Sequence, residues 1–304
     1  MQRLYNGIDA MTAIAAPVDV IRTPKKGRSL PARLWRNTLA RIGIVISALV
    51  VLAAIFGPTL APYDPVALNL ADRLQPPSAE HLMGADHLGR DIFTRVLYGA
   101  RISLQVGVVS VTLGTLVGLI LGAVAGYVGG RTDTIIMAVM DAIYAFPAIL
   151  LALVLVAVFK PGLLTVMTAI AIVRIPIFAR TVRASVLAER EKEYIEAAHC
   201  VGQRHVIIMA RHILPNILAP LIVVTTTYFA TAIVVEASLS FLGLGIPPPA
   251  ASWGTMLNDG RKFMESTPHT VLFPGIAISL TVLGFNMLGD GLRDVLDPRL
   301  KNLQ

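Results

Sequence analysis

Few residues in this chain have the types and spacing that catalysis requires. The 304 residues contain no G-x-x-x-x-G-K-[ST] phosphate-binding loop, no H-E-x-x-H zinc motif and no G-x-S-x-G nucleophile elbow. The single cysteine, Cys200, allows neither an intramolecular disulfide nor a C-x-x-C site. His81 and His87 could hold a metal, but they lie in a loop, where histidines are usually only solvated. We therefore predict that the chain is not an enzyme and has no catalytic residue, cofactor or metal.

Two ionisable residues, Asp141 and Arg174, lie within apolar stretches. At a helical rise of 1.5 Å per residue, Asp141 lies about 10 Å from Thr134 and Arg174 about 9 Å from Arg180, so the two reach a similar depth. A lone charge inside a membrane costs on the order of 3 kcal/mol on insertion scales. Three interpretations stay open: the two residues pair as a structural clamp, each pairs with another subunit, or they contact a transported solute.

The segment 189–216 predicts a helix, a glycine, a second helix and then a proline at the start of an apolar run. Gly202 can adopt the positive φ that ends a helix. Pro215 suits the first turn of the next helix, where its missing N–H costs no hydrogen bond. Acidic residues at 189, 191, 193 and 196 precede basic residues at 204 and 211. We expect a charged helix along the membrane that is offered to a soluble partner; the alternative is a helix that merely connects two spans.

The elements that position these residues are membrane spans. Hydrophobic residues make up 55% of the chain and charged residues only 15%, whereas soluble proteins carry roughly 25% charged residues. This composition argues against a soluble enzyme. Six apolar runs are long enough to cross a bilayer as helices: 42–60, 102–130, 135–159, 162–179, 213–235 and 270–288. The first follows a tail of about 40 residues and lacks a cleavage site, so it predicts an uncleaved helix.

Four glycines of the second run, at 114, 118, 122 and 126, recur every fourth residue. This spacing places them on one helix face. Small residues on one face let a neighbouring helix approach closely in a membrane. We expect a second helix to pack along this face.

The placement of Lys and Arg predicts the orientation. Nineteen of them fall in the two termini, the turn at 131 and the segment 174–211, against seven in the segments on the other side. The side with more basic residues is cytoplasmic. We therefore expect cytoplasmic termini, and the net charge of +7 needs no nucleic acid to explain it.

Two segments on the opposite, outward side differ from ordinary connectors. Segment 62–101 is rich in proline. Segment 236–245 is an apolar piece too short to span, for which a re-entrant or interfacial turn is plausible.

Residues Glu196, Ala197, Ala198, Gly202, Leu214 and Pro215 together resemble the EAA loop of type I ABC importer permeases, although the consensus has an apolar residue where His212 stands. Further segments of the chain resemble the C-type permeases of dipeptide, oligopeptide, glutathione and nickel importers. They are Leu88–Asp91, Tyr98–Ser103, Asp141 with Ala145–Pro147, Ala179–Arg180 with Val182–Arg183, Leu239–Gly245 with Trp253–Gly254, and Leu288–Asp294 with Asp297–Pro298. The resemblance covers residues 35–300.

The resemblance implies an all-α integral membrane protein of six transmembrane helices with the type I importer permease fold. Such a subunit forms half of a translocation path for di- or oligopeptides; the same machinery imports glutathione, opines or nickel chelates. The implied partners are a second homologous permease, two cytoplasmic ATPase subunits docked on the EAA loop, an extracytoplasmic solute-binding protein and membrane lipid. A stand-alone secondary transporter is the alternative of another class; the absence of an inverted repeat argues against it.

The domain organisation follows from the spans and the resemblance. Residues 1–35 are expected to form a disordered, basic cytoplasmic tail, and 36–100 the first transmembrane helix with an outward loop. Residues 101–290 would form a five-helix permease core with the EAA loop at about 183–214, and 291–304 a second cytoplasmic tail. The expected location is the bacterial inner membrane.

Overall fold

Residues 30–296, the part of the chain that the computed structural model describes, are mostly helical. Apart from an isolated antiparallel bridge between Ala85 and Asp91, these residues contain no β structure. The predictions for residues 1–29 and 297–304 lie outside the described residues. The helices are α1 (Leu30–Arg36), α2 (Thr38–Leu60), α3 (Ile92–Val128), α4 (Gly130–Tyr144), α5 (Ala148–Phe159), α6 (Leu163–Arg190), α7 (Glu193–Cys200), α8 (His205–Ile207), α9 (Leu214–Phe241), α10 (Trp253–Gly260) and α11 (His269–Leu296).

Five helical segments of the described chain are long and apolar enough to cross a membrane: α2, α3, α6, the continuous run from α8 to α9, and α11. The remaining predicted run, 135–159, is not one straight helix. It consists of α4 and α5, which meet at an angle of 87°. Pro147 explains the break, because a proline lacks the N–H that helix continuation needs and disfavours helical geometry in the residue before it.

The predicted close approach at the glycine face of α3 is confirmed, and its partner is α6. A Cβ atom on Gly118 would lie 2.5 Å from Cβ of Phe178, and one on Gly126 would lie 3.0 Å from the carbonyl oxygen of Arg183. At Gly122 a Cβ would collide with the carbonyl oxygen of Ala179. The helices α3 and α6 therefore meet backbone to backbone, as small residues permit in membranes.

A second close contact joins α2 to α11. A Cβ on Gly43 would lie 2.9 Å from the carbonyl oxygen of Gly284, and one on Gly284 would lie 2.7 Å from Cγ2 of Ile46. The helix α9 packs between α3 and α11 through Phe229, whose ring lies 4.2 Å from the ring of Phe285. The bundle thus has α3, α6 and α9 at its centre and α2 and α11 on one flank.

The segment 236–245, for which a re-entrant or interfacial turn is expected, does not form a separate element. Most of it belongs to α9, which continues to Phe241, and the chain turns at Gly243 with a φ of +82°. Glu236 is fully buried and accepts hydrogen bonds from Oγ of Ser240 at 2.8 Å and Oγ of Ser103 at 3.2 Å. Hydrogen-bonded inside the bundle, this polar residue lets the helix extend past the apolar run that predicted its end.

Charged residues hold the loop 61–91, which is called the outward loop after its predicted side, against the helix ends. Arg90 donates from Nε to Asp86 at 2.6 Å and from Nη2 to Asp259, in α10, at 3.2 Å. The buried ring of His81 lies 2.9 Å from Oδ1 of Asp91 and 3.4 Å from Oδ2 of Asp72. The other oxygen of Asp91 caps α3, so the loop and the first turn of α3 form one hydrogen-bonded unit.

Candidate functional site

Of the residues of the EAA segment, Glu196, Ala197 and Ala198 lie on α7 and Gly202 in the turn after it, at the end of the bundle where α6 ends, whereas Leu214 and Pro215 begin α9. Glu196 and Ala197 are exposed, whereas Ala198 is 7% exposed and packs with the fully buried Ile195. One face of α7 is therefore anchored in the core, and the opposite face is open. The predicted helix is confirmed, and it has one buried face and one exposed face.

The turn at Gly202 ends α7 in a Schellman motif. Gly202 has a φ of +74° and donates its N–H to the carbonyl oxygen of His199 at 2.9 Å. The N–H of Gln203 donates to the carbonyl oxygen of Ala198 at 3.1 Å. This pair of bonds defines the motif, which requires a left-handed residue at the glycine position. The predicted positive φ at Gly202 is confirmed.

The second helix after Gly202 runs without interruption into the span α9. A π-helical turn, Ile208–Ile213, connects α8 to α9, and Pro215 occupies the first turn of α9. Leu214 is half-buried and Pro215 exposed. A proline in a helical run lacks one N–H and crowds the carbonyl a turn earlier, and the wider π turn accommodates it. Movement at Gly202 therefore reaches the span through one continuous helix.

Sequence reasoning missed two exposed apolar side chains beside Gly202. Val201 is 75% exposed and Val206 is 79% exposed, on either side of the turn. The run from α8 to α9 has 37 residues, about 55 Å, and is therefore longer than a hydrocarbon core of about 30 Å. Exposed apolar side chains in a part that lies outside that core are typical of a contact with another protein.

A hydrogen-bond network around Tyr194 was also missed. Its hydroxyl donates to Oε1 of Glu189 in α6 and accepts from Nδ2 of Asn216 in α9, the latter at 3.1 Å. Nζ of Lys192 donates to the other oxygen of Glu189 at 2.6 Å. Burial and the neighbouring carboxylate of Glu189 raise the pKa of Tyr194 to about 12, so the hydroxyl keeps its proton. Tyr194 and Asn216 are too far apart in sequence for any local pattern to connect them.

The structure does not bring the two intramembrane charges together. Nη2 of Arg180 lies 2.6 Å from Oδ1 of Asp141, and its guanidinium lies over the ring of Tyr144. The guanidinium of Arg174 instead lies 4.9 Å from the ring centroid of Tyr228. Arg174 and Arg180 are six residues apart, which places them about 120° apart around α6. The similar predicted depth of Asp141 and Arg174 was therefore not sufficient to predict that they pair with each other.

What this arrangement can do is mechanical. Within residues 30–296 no group of three His, Cys, Asp or Glu side chains could hold a metal ion. The described site offers an exposed helix face, a turn with a fixed backbone conformation and hydrogen bonds to two spans. A soluble partner bound at α7 would therefore be linked directly to α6 and α9.

Two protein-family models together match most of the chain. A sequence model of the family described as "Binding-protein-dependent transport system inner membrane component" matches residues 118–302. Residues 31–77 match the N-terminal transmembrane domain of oligopeptide transport permease C.

Relatives match over nearly the full length. The chain is 49% identical over 286 residues to the dipeptide transport system permease protein DppC of Alkalihalophilus pseudofirmus, covering 94% of each chain. It is 44% identical over 303 residues to the glutathione transport system permease protein GsiD of Escherichia coli O6:K15:H31, covering 98% of this chain and 99% of the relative. Among solved structures, an inward-facing MetNI methionine ABC transporter chain aligns with a TM-score of 0.55 at 19% identity, over 66% of this chain and 96% of that one. That likeness concerns the fold alone.

Proposed function

The chain belongs to the family of binding-protein-dependent transport system inner membrane components, and from this premise we propose how it works in an importer. It is a multi-pass inner membrane protein and a permease subunit of an ABC importer. It forms half of a translocation path, and a second, homologous permease forms the other half. Hydrolysis of ATP takes place on separate ATPase subunits.

The proposed ATPase contact is the docking face: Glu196, Ala197, Val201, Gly202 and Val206. The observation that carries it is the combination of exposed apolar side chains with a helix anchored on its opposite face. The exposed valines lie in the turn that follows the anchored helix and on α8, and a cleft of a partner can bury them. Glu196 adds a charge at the edge of this face. Leu214 and Pro215 then connect the face to α9.

We propose cytoplasmic termini, because the basic residues concentrate at the docking-face end. The opposite end, with the outward loop and α10, then faces the extracytoplasmic side, where a solute-binding protein delivers the substrate. Arg90 links that loop to α10 through Asp259 at 3.2 Å. A binding protein that docks there would contact a surface whose parts are joined by hydrogen bonds.

Di- and oligopeptides are the proposed substrates. Relatives at 42–49% identity are named as dipeptide, oligopeptide and glutathione permeases. Glutathione is itself a peptide, so a peptide backbone is the feature that these names share. Glutathione, opines and nickel chelates remain alternatives within the same machinery.

The test is purification of the tagged chain from a mild detergent, followed by mass spectrometry of the proteins that accompany it. We expect a second permease and P-loop ATPases. Glu196→Lys should lower the recovery of ATPase severalfold, because it reverses the charge at the docking face. Glu265→Lys is the matched control: Glu265 is also exposed but lies beyond α10, at the other end of the bundle.

Two results would contradict the proposal. A native chain that moves solute in liposomes without any ATPase would be a self-sufficient transporter. Equal ATPase recovery with Glu196→Lys and Glu265→Lys would remove Glu196 from the docking contact. Uptake assays of the purified complex with dipeptides, longer peptides and glutathione then separate the substrate alternatives.

A further inference from the structure

Tyr194 joins three helices through one hydroxyl group. It lies in the first turn of α7. The hydroxyl donates to Glu189, in the last turn of α6, and accepts from Asn216, in the first turn of α9. A single side chain therefore bonds α7 to the span before it and to the span after it.

Both partners of this hydroxyl are held by further contacts. Glu189 is 7% exposed, and its second oxygen accepts from Lys192 at 2.6 Å. Nδ2 of Asn216 also donates to the carbonyl oxygen of His212 at 2.7 Å. Because both ends of the junction are anchored, α7 cannot shift far without moving α6 and α9 or breaking the hydrogen bonds of Tyr194.

The apolar contacts of α7 do not make the same connection. Ile195 and Ala198 are buried, but hydrophobic contacts are non-directional and allow side chains to slide over one another. A hydrogen bond limits both distance and angle. The hydroxyl of Tyr194 thus fixes the position of α7 relative to two spans, whereas Ile195 and Ala198 only keep the helix packed.

We propose that Tyr194 is a positioning residue of the importer, through which a displacement of α7 by its docked ATPase moves α6 and α9 together. This inference rests on the proposed function, since it presupposes an ATPase on α7. Glu196 and the valines receive the ATPase, and Tyr194 passes the movement to the spans. Loss of the hydroxyl should leave docking intact and weaken the link between ATP hydrolysis and transport.

The test is Tyr194→Phe in the complete importer, reconstituted in liposomes with its ATPases and binding protein and supplied with a dipeptide. The readout is solute moved per ATP hydrolysed. We expect native recovery of ATPase and a ratio about tenfold lower, the factor equivalent to one hydrogen bond of roughly 1.4 kcal/mol. Tyr63→Phe is the matched control: it removes a hydroxyl that donates to the carbonyl oxygen of Glu80 at 2.9 Å in the outward loop, and it should leave the ratio unchanged.

A native ratio in Tyr194→Phe would overturn the inference. Loss of ATPase from the Tyr194→Phe complex would overturn it as well, because the hydroxyl would then serve assembly. Asn216→Ala should lower the ratio by a similar factor, and the double variant should lose no more than either single variant. Additive losses would show that the two residues act separately. If the native chain recovers no ATPase, the proposed function itself fails, which is seen before any variant is measured.

Discussion

At Gly202 the backbone, and not the surrounding space, restricts the residue type. Its φ is +74°, and a Cβ there would meet no atom within 4 Å. A left-handed conformation costs an ordinary L-residue about 1–2 kcal/mol, whereas Asn adopts it more readily. We expect Gly202→Val to lower uptake and ATPase recovery, and Gly202→Asn to retain most of both. Gly162→Val is the control, since a Cβ on Gly162 would make only an ordinary contact, 3.9 Å from Oγ1 of Thr165, and the residue has an extended φ of 171°. Native uptake by Gly202→Val would show that coupling does not need this turn.

The imidazole of His81 should stabilise the outward loop in its protonated form. Burial lowers its pKa, but the hydrogen bonds to Asp91 and Asp72 outweigh burial and raise the pKa above 6.5. A raised pKa in the folded state gives stability that is fully present below the unfolded value and is lost as the pH rises through the folded value. We expect the melting temperature of the detergent-solubilised chain to fall as the pH rises from about 6 to about 8. His81→Gln should flatten that slope; an unchanged slope would exclude His81 as its source.

Candidate site residues could be predicted from the sequence where they belong to one short motif. Glu196, Gly202 and Pro215 occupy positions of one motif, and Gly202 has the conformation that its residue type suggests. The partner of Asp141 could not be predicted in this way. Depth along a helix follows from counting residues, but which face of α6 meets α4 depends on packing, and this selects Arg180 over Arg174.

At the scale of the helix pair, the contact between α3 and α6 should tolerate no added methyl group. A Cβ on Gly122 would collide with the backbone of Ala179, whereas a Cβ on Gly275, in α11, would meet no atom within 4 Å. Overpacking typically costs about 1–3 kcal/mol. We expect Gly122→Ala to lower the melting temperature in detergent and Gly275→Ala to leave it equal or higher, because alanine favours helix. Equal melting temperatures would mean that α3 and α6 can separate without cost.

Hydropathy predicted where the spans lie, because it identifies the apolar stretches that face lipid. It did not predict the residues at which the helices begin and end. The helix α3 begins at Ile92, ten residues before the predicted run, because Asp91 caps it and buried Arg95 donates to the carbonyl oxygen of Pro65. Charged residues therefore extend helices that an apolar window truncates. Pro147 indicates a break between α4 and α5, but the 87° angle depends on neighbouring helices.

At the scale of the whole molecule, Cys200 reports the orientation in the membrane. It is the only cysteine of the chain and is exposed on α7. We expect a membrane-impermeant maleimide to label it in inverted vesicles and not in spheroplasts, because the topology that we propose from the basic residues has α7 in the cytoplasm. Ser266→Cys in a Cys200→Ser background should give the reverse pattern, since Ser266 is exposed at the other end. Labelling of Cys200 in spheroplasts would invert the proposed topology.

The same cysteine can locate the ATPase in the assembled importer. Cys200 lies beside Val201 and Gly202, so an ATPase seated on the docking face would cover it. In inverted vesicles that contain the complete importer, maleimide labelling of Cys200 should be severalfold slower than in vesicles with the permeases alone. Glu196→Lys should restore the faster rate if it releases the ATPase, whereas Glu265→Lys should not. Equal labelling with and without the ATPases would place their contact elsewhere on the permease, and the role of α7 in coupling would have to be abandoned.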